Sequence, residues 1–137
     1  MAVVVKVDRA RKLVCTTFSG EINEEELLRP LSLIPAQPGF DPSFSDLVDF
    51  SEVTRAGIST PALRKLSESQ SLFQSTSKHA IVAPRDFAFG LARMFQTMAD
   101  QTRPNLLVVR TLAEAYSFLG IAPVKEPPVK EPKESSA

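Results

Sequence analysis

Lys78 to Asp100 reads KHAIVAPRDFAFGLARMFQTMAD. His79 to Ala83 is a short apolar run with β-branched Ile81 and Val82 and no polar alternation. That pattern suits a strand covered on both faces, as in a parallel sheet. Pro84 lacks an N–H and ends the pairing, and Asp86 falls where a helix N-cap is expected. Helical spacing then predicts Phe87, Leu91, Met94, Phe95 and Met98 on one face, an apolar stripe for packing on a sheet, with Ala88, Ala92 and Ala99 flanking it. Phe89 falls on the opposite side, beside Arg93, Gln96 and Asp100. It reads either as a single surface aromatic or, with Arg93, as a candidate interaction surface, because aromatic and Arg anchors bury much area with few rotors.

Working outward, the chain of 137 residues is long enough for one domain with a real core. Lys plus Arg is 16 and Asp plus Glu is 16, which argues against a nucleic-acid binder, since that needs positive charge concentrated on one face. The segment after Gly120 carries three Lys and three Glu, so it hides no basic core. Cys15 is the only cysteine; it excludes a disulfide within the chain and leaves a Cys-based metal site without ligands. With no His or basic residue close in sequence to lower its pKa, Cys15 reads as a small packing residue. The first residues lack the charged and apolar regions of a signal peptide, and no apolar run approaches the roughly 20 residues of a membrane span. The expected location is cytoplasmic.

Before the central unit, Ala2–Val7 and Leu13–Phe18 read as a β-hairpin joined by the charged residues 8–12. Asn23 followed by Glu24, Glu25 and Glu26 is a helix start with a capping box, and Pro30 is expected to kink or split that helix. A Pro-rich loop follows, with Phe40 and Phe44 packing over the core. Asp46–Phe50 reads as a third strand, residues 51–57 as a connector, and Thr60 as the cap of a helix with Pro61 at its first position. After the central unit, Asn105–Arg110 is another buried strand. Thr111 caps a last helix in which Leu112, Ala115, Tyr116 and Leu119 face inward, ending at Gly120. The order implies an α/β fold: a mixed, largely parallel sheet with an N-terminal hairpin and about four helices. Residues 1–120 form the domain. Residues 121–137, in which Val-Lys-Glu-Pro occurs twice, read as a flexible Pro/Lys/Glu-rich tail.

This arrangement resembles the STAS domain, the SpoIIAA-like anti-sigma-factor antagonist fold, and more closely the bacterial proteins described as SpoIIAA-like or STAS/SEC14-type. The residues that carry the likeness are Phe18-Ser-Gly-Glu-Ile, Leu47-Val48-Asp49-Phe50 with Val53-Thr54, and above all Ala80-Ile-Val-Ala-Pro followed by Ala88-Phe-Gly-Leu-Ala-Arg-Met. The final strand and Ala113-Glu-Ala-Tyr-Ser-Phe-Leu-Gly also fit. In the antagonists a kinase modifies a serine in Asp-Ser-Ser-Gly after the third strand. The corresponding turn here is Ile58-Ser59-Thr60-Pro61, without that Asp and Gly. The resemblance makes Ser59 a possible phosphosite, while capping alone accounts for hydroxyls at Ser59 and Thr60.

The sequence offers no catalytic constellation. It lacks a Gly-x-Ser-x-Gly elbow and a Gly-rich phosphate loop, has no ligand pair for a metal, and implies no cofactor. His79, the only histidine, is expected to be structural or partly exposed, with nothing nearby to make it a base. In open α/β sheets ligands bind beyond the carboxyl ends of the strands. That edge carries Asp49, Ser51, Ser59, Thr60, Arg85, Asp86, Arg110 and Thr111, where helix starts and the two arginines offer an anion site; the alternative is that these groups cap helices and pair with one another. The leading reading is a non-enzymatic STAS-like regulatory or protein-interaction module that associates with another protein or with itself as a homodimer. The alternative is a module for a small anionic ligand or a lipid at the carboxyl ends of the strands. An apolar cavity favours the alternative, and a closed core with a flat apolar patch around Phe89 favours the first. The view of residues 79–98 as scaffold fails if His79 sits in a pocket bonded to a serine or carboxylate, or if Met94 and Met98 point to water.

Overall fold

A computed structural model describes residues 3–69 and 71–122. The predicted Pro/Lys/Glu tail, from Pro123 onward, lies outside the described residues. β1 (Val3–Asp8) and β2 (Leu13–Asn23) form the N-terminal antiparallel hairpin. Its turn is closed by Asp8, whose carboxylate accepts from the Arg11 backbone N–H at 3.1 Å and from Arg11 Nε at 2.7 Å. The remaining strands are β3 (Ser45–Gly57), β4 (His79–Val82) and β5 (Leu106–Val109). All five form one sheet in the order β1-β2-β3-β4-β5, parallel from β2 onward.

Four helices were expected, and the first is broken in two: α1 (Glu24–Leu28) and α2 (Pro30–Leu33). The break falls at Pro30, which supplies no N–H to continue the first helix. α1 carries the predicted capping box between Asn23 and Glu26. α3 (Thr60–Glu68), α4 (Asp86–Met98) and α5 (Leu112–Leu119) follow. Each parallel strand is laid beside the previous one in a single direction. The right-handed connections α1/α2, α3 and α4 therefore all fall on one face. α5 packs on the other face, against Leu13, Leu47, Ala80, Val82 and Val109. It starts on a Thr111–Glu114 capping box and ends at Gly120, whose φ of 71° is the left-handed closure that glycine supplies readily.

Several boundaries differ from the sequence reading. Residues 51–57, expected as a connector, continue β3, because β2 also runs past Gly20 and the two pair as far as Asn23 and Gly57 through two register shifts. Ser59, not Thr60, is the α3 N-cap, accepting from the Ala62 N–H at 3.2 Å. Arg85, not Asp86, stands at the α4 N-cap position.

The largest difference is the rotation of α4. Its buried residues are Ala88, Ala92 and Phe95, followed by Ala99 just beyond its end. Phe87 and Met94 are each 40% exposed, while Leu91 and Met98 are half-buried. Two stripes of like spacing lie side by side on this helix, one built from large residues and the other from alanines. The alanines let the helix approach the sheet closely, and the exposed Asp86–Arg110 ion pair at 2.7 Å ties its first turn to the end of β5. Phe89 is half-buried and joins the core on that side. Leu112, expected to face inward, is 40% exposed.

Candidate functional site

Between the sheet and the layer formed by α1 to α4 lies a cavity of about 150 Å³. Most of its wall is apolar. Phe18, Ile22, Phe50, Val53 and Ile58 line one end, Val48, Ile81, Ala92 and Phe95 the middle, and Leu27, Leu31 and Leu63 come from the short helices. The Phe18 and Phe50 rings stack there with centroids 5.0 Å apart.

The other end is polar, and the sheet register builds it. Val14, Asp46, His79 and Leu106 are cross-strand partners on β2, β3, β4 and β5. Side chains alternate faces along each strand, so Thr16, two residues beyond Val14, shares this face. Asp46 Oδ2 lies 3.0 Å from His79 Nδ1. The His79 ring is 3% exposed as a residue and is met edge-on by Phe73 at 5.3 Å. Arg103 enters from the segment after α4. Its Nη1 donates to Thr102 Oγ1 at 2.8 Å and to the Ser69 carbonyl at 3.3 Å, and its guanidinium sits 5.3 Å from the Phe95 ring centroid. Among the described residues, no carboxylate lies within salt-bridge distance of Arg103. Burial pushes its pKa below the ordinary value, and the charge of Asp46 opposes that shift. Two buried side-chain oxygens have no hydrogen-bond partner among the described residues, Thr16 Oγ1 and Asp46 Oδ1. Both residues line the cavity.

This arrangement corrects the expectation for His79. Asp46 is the neighbour that orients its ring, and the two meet only because β3 and β4 align their first turns of strand. The condition set for residues 79–98 as scaffold alone is therefore not met, because His79 lines a cavity on a carboxylate; of the two methionines Met94 is exposed and Met98 half-buried. Thr16, Asp46 and Arg103 were not singled out from sequence. A polar residue in the inward phase of an apolar strand, as with Asp46 before Val48 and Phe50, is the signal that marks such a position. Arg103 lies in a connector and carries no comparable signal.

The residues named from sequence for the anion edge and the interaction surface sit elsewhere, and none of them lines the cavity. Asp49 Oδ1 accepts from the Ser51 N–H at 2.8 Å and from its hydroxyl at 2.5 Å. The Ser59 N–H donates to Glu24 Oε2 at 2.9 Å, and with the Ser59 hydroxyl it holds the Glu24 carboxyl below its ordinary pKa. Thr60 is the exposed first residue of α3. Arg85 Nη1 donates to the Val53 carbonyl at 3.2 Å. Arg110 pairs with Asp86, donates to the Pro84 carbonyl at 3.0 Å and lies 3.9 Å from the Phe89 ring centroid. Arg93 lies 5.9 Å from that same ring. The carboxyl-end groups are thus brought together mainly with one another, whereas the polar end of the cavity is at the amino ends of β3 and β4. Cys15 lies on the other face, where burial, and then Asp49, push its thiol pKa up.

A five-stranded sheet with an N-terminal antiparallel strand, consecutive parallel strands and helices on both faces is a SpoIIAA-like fold. Among solved structures the chain is similar to an uncharacterised protein of the DUF3478 family with a SpoIIAA-like fold from Shewanella loihica. The two are 18% identical, with a TM-score of 0.53, over 86% of this chain and 94% of that one. At this identity the likeness establishes the fold. No family model matches the sequence, and no curated protein matches it either. No described helix is long and apolar enough to cross a membrane.

Proposed function

We propose that this SpoIIAA-like domain is a binding module for a small, mostly apolar molecule held between the sheet and α1 to α4. The observation that carries the reading is the apolar cavity of about 150 Å³ with buried, unpartnered polar atoms at one end. Protein interiors are otherwise packed like organic crystals. An apolar cavity of this size is known to accept a ligand as large as benzene. The size therefore favours a single-ring or short-chain molecule over a whole lipid.

The test is thermal unfolding of the full chain with toluene or indole. A saturating probe at a hundred times its Kd adds about 2.7 kcal/mol, or roughly 8 °C in Tm. Val48→Phe, which puts a ring into the cavity from the sheet and leaves the close-approach alanines of α4 untouched, is expected to raise the Tm of the free protein and abolish the response. No response to any small apolar probe, together with destabilisation by Val48→Phe as in an overpacked core, would refute the reading.

A second reading, self-association, is favoured by Phe87 and Met94, which expose apolar area seven residues apart along one face of α4. This patch lies on a different face of α4 from the half-buried Phe89 and its neighbour Arg93. Light scattering of Phe87→Ser with Met94→Ser tests it: a dimer that persists, or a wild-type monomer at all concentrations, removes it.

A further inference from the structure

Resting on the cavity reading, we infer that the occupant carries one uncharged head group that both donates and accepts a hydrogen bond, a hydroxyl or primary amide, on an apolar body about the size of one ring. Three side chains at the polar end impose this. Asp46 Oδ1 is buried and has no partner among the described residues, while Oδ2 is held by His79; as a carboxylate oxygen, Oδ1 accepts only, so the head must donate. Arg103 only donates, so the head must also accept. The Thr16 hydroxyl, 1% exposed and without a partner, accommodates either role.

Charge excludes the other heads. A carboxylate at this end faces Asp46 in a desolvated site, and an ammonium faces Arg103. Each also meets an opposite charge, but the like charge offsets that attraction and the head's own loss of hydration is left uncompensated. A neutral head lies between the two opposite charges and satisfies both oxygens that now lack partners. The apolar wall beyond it supplies the affinity and the polar end the selection.

A matched series on the full chain separates these terms: toluene, benzyl alcohol, benzoate and benzylamine, measured by calorimetric titration and Tm shift. The expected order is benzyl alcohol tightest, about tenfold over toluene, the value of one to two buried hydrogen bonds, with benzoate and benzylamine weaker than toluene. In Thr16→Val, the advantage of benzyl alcohol over toluene is expected to shrink to about twofold or less while toluene binding stays unchanged. Benzoate or benzylamine binding as tightly as benzyl alcohol would overturn the uncharged head. Equal binding of toluene and benzyl alcohol to the wild type would overturn a polar contribution and leave the cavity reading standing. Binding of none of the four would take the cavity reading down as well.

Discussion

Replacing Thr16 by Val is expected to stabilise the free protein, which is the reverse of what most buried substitutions do. Thr16 sits in the middle of β2 at 1% exposure, on the cavity wall, and its hydroxyl has no hydrogen-bond partner among the described residues. Val has nearly the same shape and β-branching, so the strand loses neither volume nor β-propensity. What changes is the desolvated hydroxyl. Protein mutational data put the penalty for such a group at about 1–3 kcal/mol. Taking the lower half of that range, because a neighbouring donor can reorient toward it, gives about 1–2 kcal/mol of added stability. For a domain of this size that is roughly 3–8 °C in Tm. Urea unfolding followed by circular dichroism measures it directly: the midpoint should rise with the slope m unchanged. A loss of stability of 1 kcal/mol or more would show that the hydroxyl is engaged in the folded protein, and the account of the polar end would fail with it.

Removing the α3 cap with Ser59→Ala should cost about 1 kcal/mol, because the hydroxyl's bond to the Ala62 N–H and its contact with the Glu24 carboxylate are lost; a change below a few tenths in urea unfolding would show the cap to be idle. Arg11 donates to the Asp8 carboxylate from its side chain and backbone, and this holds the Asp8 pKa below its ordinary value of 3.8. A depressed carboxylate stabilises the fold above that value and ceases to as pH falls through its lowered one. Asp8→Asn should therefore destabilise at pH 7, by the fraction of a kcal/mol typical of exposed pairs, and match the wild type near pH 2; a difference that persists undiminished in acid would contradict the assignment. Cys15, with its thiol pKa raised by burial and then by Asp49, should react with Ellman's reagent at pH 8 at least about tenfold more slowly in the folded chain than in urea. Equal rates would place the thiol at the surface.

The local chemistry of the elements was readable from the chain. The Asn23–Glu26 and Thr111–Glu114 boxes, the break at Pro30 and the left-handed stop at Gly120 each depend on residues within one or two turns of one another. The apolar run from His79 to Ala83, with β-branched Ile81 and Val82, reads as an interior parallel strand for the same reason. The rotation of α4 was not readable, because two adjacent stripes on one helix satisfy the same period. Close approach through Ala88 and Ala92 and the tie between Asp86 and Arg110 choose between them. The length of β3 was hidden too: Glu52, Val53, Thr54 and Arg55 look like a connector until Ser19, Gly20 and Glu21 of β2 pair alongside them.

Composition, capping and periodicity are enough to specify a mixed α/β domain, because these properties are encoded by near neighbours and by the average polarity of each segment; its SpoIIAA-like type is what the resemblance implied and the solved neighbour's fold supports. The cavity and its polar end are set by contacts at long range. Asp46 meets His79 across 33 positions, the Arg103 guanidinium reaches the Ser69 carbonyl across 34, and Thr16 joins them from a strand of the hairpin. Nothing in any one of those segments specifies the others' register. The pairing of β2, β3 and β4 brings three polar side chains, each unremarkable in its own sequence context, to one end of an apolar chamber.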